Sequence, residues 1–254
     1  MPANDRRAGP EDARLMMIHA HGLDHKALNE AIRNAPQECT VDGCCGQRFI
    51  GAGMTGKNIT IRGVPGNALG AYLNGGTITV LENAQDAVGD TMNDGSIIVH
   101  GSVGDAAGYA MRGGTICVRG NVGYRAGIHM KAYGDKVPVM VIGGKAGSFL
   151  GEYQAGGIIA VLGLHAPGGR IVGNFPCTGM HGGKMFLRSE CRGIAFPPQV
   201  TARRAGPEDL SELEGCLSGF CGAFGFDMGA VLSAPFTVVT PDSSNPYRQM
   251  YVAN

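Results

Sequence analysis

The sequence predicts an all-β fold, a β-solenoid of about seven coils, on the strength of three repeating features. Glycine recurs every 19 residues at Gly51, Gly70, Gly89, Gly108 and Gly127. Three residues beyond each stands a large apolar side chain: Met54, Leu73, Met92, Met111 and Met130. Further along come β-formers in short alternations, Ile59 and Ile61, Ile78 and Val80, Ile97 and Val99, Ile116 and Val118. Such alternation fits a strand with one face inward. No unit holds the long helix-forming run that a βαβ crossover needs. Each coil therefore pairs with the coils above and below it, about 4.8 Å apart, in a rod core roughly 30 Å long.

Residues 1–45 read as an N-terminal segment, polar and flexible from Met1 to Glu11, followed by a capping helix. That helix runs from Asp24 to Ala35: Ala27, Leu28, Ala31, Ile32 and Ala35 share one face, Asp24 caps the start and Pro36 stops it. It is expected to cover the open end of the rod, because an exposed coil edge invites aggregation. Residues 46–190 form the coils. Glycine at one repeated position predicts a stack of corners needing φ > 0 or a missing Cβ, and the Met/Leu series predicts an apolar ladder inside. A second glycine stands five residues on at Gly56, Gly75 and Gly113, and six on at Gly95. Gly151 follows Gly127 by five residues more than the period, an insertion that Lys131–Pro138 holds as a surface loop. The pattern resumes with Gly147, Gly151, Gly156, Ile158 and Val161, expands again over about 163–176, and ends in a coil from Gly179 to Leu187. Residues 191–254 read as a C-terminal helix and strand cap with a tail. Pro207 opens the helix, and Leu210, Leu213, Leu217, Phe220 and Phe224 give it an apolar stripe despite Gly215, Gly219 and Gly222. A strand at 236–239 precedes a Pro/Ser/Asn-rich end.

Composition bounds function. Glycine supplies 43 of 254 residues without a three-residue period, so the chain is not collagen-like. Net charge is zero, which indicates no basic surface for nucleic acid or anionic lipid. No apolar run approaches a membrane span and no signal peptide is visible, so a cytoplasmic location is expected. Cys39, Cys44, Cys45, Cys117, Cys177, Cys191, Cys216 and Cys221 match no zinc or iron–sulfur spacing and read as reduced, mostly buried thiols.

The tempting motifs give way to the repeat. Gly51-Ala52-Gly53-Met54-Thr55-Gly56 spells GxGxxG, but a dinucleotide site needs a helix next, and here a strand follows. His19, His21 and His25 cluster near the first helix and read as exposed or capping residues. His129 and His181 read as hydrogen-bonded corner residues. Asp86, Asp90, Asp94 and Asp105 lack the calcium-repeat pattern. We assign no catalytic, cofactor-binding or metal residue. Gly51, Gly70, Gly89, Gly108, Gly127 and Gly151 are structural repeat glycines.

Several segments resemble the third, GxGxG-type domain of the glutamate synthase large subunit: Gly46-Gln47-Arg48-Phe49-Ile50-Gly51, Pro65-Gly66-Asn67, Asn83-Ala84-Gln85-Asp86, Gly123 to Lys131, Phe149-Leu150-Gly151-Glu152-Tyr153 and Thr178 to Gly183. The likeness covers roughly 15–190, with Asn245-Pro246-Tyr247 beyond, and is nearest the form in which that domain is a separate, archaeal-type polypeptide. The C subunit of formylmethanofuran dehydrogenase is similar more distantly, in coil pattern. The resemblance implies a right-handed, single-stranded parallel β-helix without catalytic residues. It implies a subunit of an oxidoreductase complex for glutamate biosynthesis and nitrogen metabolism. The expected partners are a glutaminase-type amidotransferase chain and an FMN/iron–sulfur synthase chain that makes glutamate from glutamine and 2-oxoglutarate. FMN and the cluster would sit in those partners, with no cofactor in this chain, and no activity is expected from the chain alone.

Overall fold

A computed structural model describes residues 16–165 and 169–243. The expected flexible start and the Asn245-Pro246-Tyr247 resemblance lie outside them. In chain order the elements are β1 (Met16–His19), α1 (His25–Asn34), β2 (Glu38–Cys45), β3 (Lys57–Val64), β4 (Asn74–Val80), β5 (Asp94–Val99), β6 (Thr115–Val118), β7 (Val139–Ile142), β8 (Ala155–Val161), β9 (Gly182–Leu187), β10 (Val200–Arg204), α2 (Pro207–Phe224), α3 (Met228–Leu232) and β11 (Thr237–Pro241). One sheet contains every strand, in the order β1-β2-β3-β4-β5-β6-β7-β8-β9-β11-β10. From β1 to β9 all pairs are parallel; β11 pairs antiparallel with β9, and β10 antiparallel with β11.

Register follows the repeat. Ile59, Ile78, Ile97, Ile116, Met140, Ile159 and Met185 lie opposite one another on successive strands, all buried. So do Ile61, Val80, Val99, Val118, Ile142, Val161 and Leu187. A parallel sheet exposes one residue row to the core and the next row to the other face, so a slip of one residue would invert both. Isolated bridges through Ala84, Val103, Val122, Ala146 and Val172 add a second column of pairing on the opposite side of the coil. The two columns enclose the core, with Met54, Leu73, Met92, Met111 and Met130 inside it. The next place in that ladder belongs to Gln154, fully buried. Its Nε2 donates to the carbonyls of Gly156 (3.2 Å) and Gly157 (3.1 Å) beside the register shift between β8 and β9. A polar side chain stands here because the irregular ladder leaves carbonyls to satisfy.

The inserted loop does what its length requires. Tyr133 and Lys136 bridge antiparallel around Gly134, and β7 rejoins β6 with Thr115 opposite Val139. Lys136 Nζ lies 2.7 Å from Asp94 Oδ2. Ile159, one residue beyond the Ile158 picked out by pattern, takes the inner ladder position, and Ile158 faces α2.

The N-terminal end is closed by α1. Asp24 Oδ1 accepts from the N–H groups of Lys26 (2.9 Å) and Ala27 (2.8 Å), and Leu28 and Ile32 bury against the first coils. Asn29 Oδ1 accepts the Gly51 N–H at 3.0 Å. One coil on, the Gly70 N–H goes to the carbonyl of Ile50, and the Gly89 N–H to that of Leu69. The Asn29 amide thus replaces the coil that does not exist below Gly51. Two further strands lie N-terminal to residue 46. β1 and β2 bracket α1 and extend the sheet, with Cys39 and Val41 facing inward. Their repeat is invisible because a helix stands where the corner would be.

At the far end, β11 and β10 continue the sheet past β9. α2 lies on the flank: Leu213, Leu217, Phe220 and Cys221 pack on Cys117, Val141, Ala160 and Phe186, the outward row of β6 to β9. This row is apolar, so a helix on it removes apolar area from water. Gly215, Gly219 and Gly222 would have nothing within 4 Å of an added Cβ, so none of them is there to admit a close neighbour, and the packing rests on the apolar stripe. Pro207 opens the helix and Gly225, at φ 70°, ends it. Asp209 accepts from the Gly206 N–H at 2.8 Å and from both arms of Arg203 at 2.6 and 2.9 Å. The Arg203 guanidinium first, then the Gly206 N–H, holds its carboxyl below the usual Asp value. A depressed acid stabilises the fold fully above its unfolded value, about 3.9, and that stability is lost as pH falls through the lower folded value. Asp209→Asn should therefore lower the urea midpoint at pH 7, and the gap to wild type should close in the acid window below pH ~3.9. A gap constant down to acid unfolding would show that the charge contributes nothing.

Candidate interaction surface

Each coil turns through a corner of one design. In Ala68-Leu69-Gly70-Ala71-Tyr72, φ is 62° at Ala68, 64° at Gly70 and 57° at Tyr72. The same alternate left-handed residues recur as Ala87, Gly89, Thr91; Ala106, Gly108, Ala110; Arg125, Gly127, His129; and Phe149, Gly151, Tyr153. Their N–H groups reach alternately to the next coil and the previous one: Ala68 to Asp86, Gly70 to Ile50, Tyr72 to Asp90. The left-handed region favours glycine, yet in these five corners only the middle position keeps it. A Cβ on Gly51 would lie 2.6 Å from Ile78 Cδ1, and one on Gly70 would lie 2.6 Å from Ile97 Cδ1. Each middle glycine thus makes room for an inner-ladder side chain of the following coil. The seventh corner, Phe175, Cys177 and Gly179, confirms the reason. Register puts Cys177, not Gly179, in the middle, since its N–H bonds to Leu150 O as Gly151 bonds to Ala126 O. No coil follows it, so a Cβ is tolerated there, and the Cys177 thiol lies 3.6 Å from Met185 Sδ.

The outer two positions face away from the core and carry what the core cannot use. Phe49, Tyr72, Tyr109, Tyr124, Tyr153 and Phe175 are exposed large side chains within three residues of a corner's middle residue. The His129 ring stacks on Tyr153 at 5.3 Å and meets Tyr109 edge-on at 6.0 Å. Phe149 stacks on Phe175 at 5.3 Å, with Arg125 over its other side at 5.5 Å and Glu152 pairing with Arg125 at 3.3 Å. At the capped end His25 touches Phe49 at 5.9 Å. The later corners thus carry two exposed ring clusters, Tyr109–His129–Tyr153 and Arg125–Phe149–Phe175, on neighbouring coils. His129 was expected to be hydrogen-bonded and is instead held by ring stacking. His181 does bond, its Nδ1 at 3.0 Å from Gly179 O.

Beside the corners runs a polar ladder that the 19-residue spacing carries but the sequence reading left unused. Asn67, Asp86 and Asp105 accept, through Oδ1, the N–H of Asp86 (3.3 Å), Asp105 (2.9 Å) and Tyr124 (2.8 Å), each one coil on. Asn83 and Asn121, through Oδ1, and Ser102, through Oγ, do the same for the N–H groups of Ser102, Lys145 and Asn121 respectively. Asp86 and Asp105 therefore serve backbone N–H groups.

The other singled-out residues are dispersed. His19 Nδ1 lies 3.5 Å from Asp42, and among the described residues no group of three His, Cys, Asp or Glu could hold a metal ion. The GxGxxG at Gly51 is a corner leading into β3. All eight cysteines are free, and burial pushes Cys117 and Cys177 up to about 12 and Cys44 up to about 11, far from a reactive thiolate at neutral pH. No helix among the described residues is long and apolar enough to cross a membrane.

Fold and corner together define a class: a parallel β-helix whose turns alternate left-handed residues around an inward glycine. The chain belongs to the GXGXG-motif family, whose description matches residues 21–236. It is 40% identical over 250 residues to the uncharacterized protein MJ1350 of Methanocaldococcus jannaschii, covering 93% of this chain and 96% of the relative. Its fold is similar to a chain of the formyltransferase/hydrolase complex (FhcABCD) from Methylorubrum extorquens, solved with methylofuran. That likeness has a TM-score of 0.57, covers 91% of each chain and comes with 19% identity.

Proposed function

We propose that this chain is a non-catalytic structural subunit of a glutamate-synthase-type oxidoreductase complex. It docks a glutaminase-type amidotransferase chain to an FMN/iron–sulfur synthase chain, so that ammonia released in one reaches the other without escaping to water. Holding two sites at fixed distance contributes by proximity. The observation that carries the reading is the pair of exposed aromatic clusters on the later GXGXG corners. Stacked, conformationally restricted rings on a rigid rod present contact area at little entropic cost, and aromatics with arginine are the residues enriched at interfaces. Family membership and the motifs shared with the glutamate synthase domain favour these partners. A scaffold role in another oxidoreductase, such as a formylmethanofuran dehydrogenase, is favoured by the fold likeness to a chain of the FhcABCD complex.

Tandem purification of the tagged chain from its native cell, followed by mass spectrometry, tests both. A glutaminase-type chain with a flavin/iron–sulfur chain supports the first reading; a molybdenum- or tungsten-containing partner supports the second. Recovery of the chain alone would sink both. The paired change Tyr109→Ala and Tyr153→Ala removes exposed rings around His129 and should weaken partner retention about tenfold or more, a hot-spot cost near 1.4 kcal/mol or above. Its melting should stay close to wild type, because neither ring is in the core.

A further inference from the structure

The rod's C-terminal end carries an open strand edge. Among the described residues β10 pairs with β11 alone. The Ala205 N–H bonds to Phe236 O and the Asp242 N–H to Gln199 O. In an antiparallel ladder the hydrogen-bonded residues alternate, so Thr201 and Arg203 face β11, and Ala202 and Arg204 turn their N–H and C=O groups outward, where the Arg204 carbonyl accepts from Arg203 Nη1 at 3.3 Å. The outward N–H of Val200 is taken by Pro197 O. Alongside runs a groove of about 520 Å³ lined by Ile194, Phe196, Pro235 and Phe236, with Glu190, Arg192, Arg203 and Arg204 as its ionisable groups. Glu190 pairs with Arg192 at 2.7 Å and Asp209 with Arg203 at 2.6 Å. The Arg204 guanidinium is left without a partner among the described residues.

We infer that an extended, acidic segment of a partner protein adds to this edge as the next strand of the sheet. Its backbone bonds to Ala202 and to the Arg204 N–H, its carboxylate pairs with Arg204, and an apolar residue two positions away, on the same face, enters the groove beside Ile194 and Phe196. Strand addition of this kind draws affinity from main-chain hydrogen bonds and specificity from side-chain pockets. Charge complementarity favours an acidic partner over a second copy of this chain. An antiparallel copy centred on Ala202 would set each Arg204 opposite a Val200, leaving both charges uncompensated. The inference deepens the scaffold reading and rests on it, but it is tested separately.

The probe is a short fluorescent peptide of Glu-Thr-Val-Thr repeats, which sets Glu and Val on one face, with a Lys-for-Glu peptide as counterpart, followed by anisotropy on the full chain. Ala202→Pro deletes the outward N–H at an edge position where proline is tolerated, and Arg204→Glu reverses the charge. The acidic peptide should bind wild type and weaken about tenfold or more in either variant, the Lys peptide should bind neither wild type nor Ala202→Pro, and both variants should melt with wild type. Equal binding of the two peptides, or undiminished binding to a folded Ala202→Pro, overturns the inference. So does a concentration-dependent dimer lost in Ala202→Pro. If Ala202→Pro still retains the co-purified chains in full, the edge is not their site and the scaffold stands. If wild type retains none, the scaffold reading fails whatever the peptide does.

Discussion

Gly51→Ala should cost about 3 kcal/mol, whereas Gly53→Ala, two residues away, should cost about 1 kcal/mol. Both residues are left-handed, at φ 72° and 64°. The backbone penalty for an L side chain is therefore shared, about 1–2 kcal/mol. They differ in what the new methyl meets. On Gly53 it has nothing within 4 Å; on Gly51 it lies 2.6 Å from Ile78 Cδ1, whose side chain is fully buried in the inner ladder and can move only by repacking it. Overpacking of that kind adds about 1–3 kcal/mol. The difference between the two urea midpoints isolates the packing contribution. Equal midpoints would mean that the middle glycine serves the backbone alone, and the account given for Cys177 would fall with it.

Phe220→Ala should cost about 4 kcal/mol. The ring is fully buried between α2 and the sheet and stacks at 5.5 Å on Phe226 and edge-on at 4.9 Å against Phe224. Its loss leaves a ring-sized void under a helix weakened by its own glycines. The observable goes beyond stability. Cys117 lies in the row that α2 covers, and burial holds its thiol at about 12. Loosening the helix should make Cys117 react with a thiol reagent well below the denaturation midpoint, while buried Cys177, inside the coils, stays protected. Simultaneous reaction of both thiols would show that helix and rod unfold as one cooperative unit.

Much of this was legible without coordinates. The 19-residue glycines, the Met/Leu ladder and the Ile/Val alternation identify the coil because each expresses a local rule repeated often enough to exceed chance. Helices α1 and α2 show the usual signals, Asp24 and Pro207 at their starts and an apolar stripe along each. The interaction surface was harder to read. Tyr72, Tyr109, His129 and Tyr153 look irregular along the chain, since they occupy adjacent offsets from the corner glycine and share a face only once the coils stack. The Asn/Asp ladder does carry the period and could have been found by reading Asn67, Asp86 and Asp105 together. β1, β2 and the free edge of β10 carry no periodic mark.

By itself the sequence determined that this chain must wind. It is too rich in glycine and too regular in apolar spacing to bury its core except coil upon coil. That α2 lies along the flank, why glycine yields to Cys177 at the last corner, and which side chains meet outside the rod were decided only by the tertiary structure. Those outcomes depend on what lies one coil away, 19 or more residues distant in sequence, and no local propensity encodes a neighbour that stacking alone supplies.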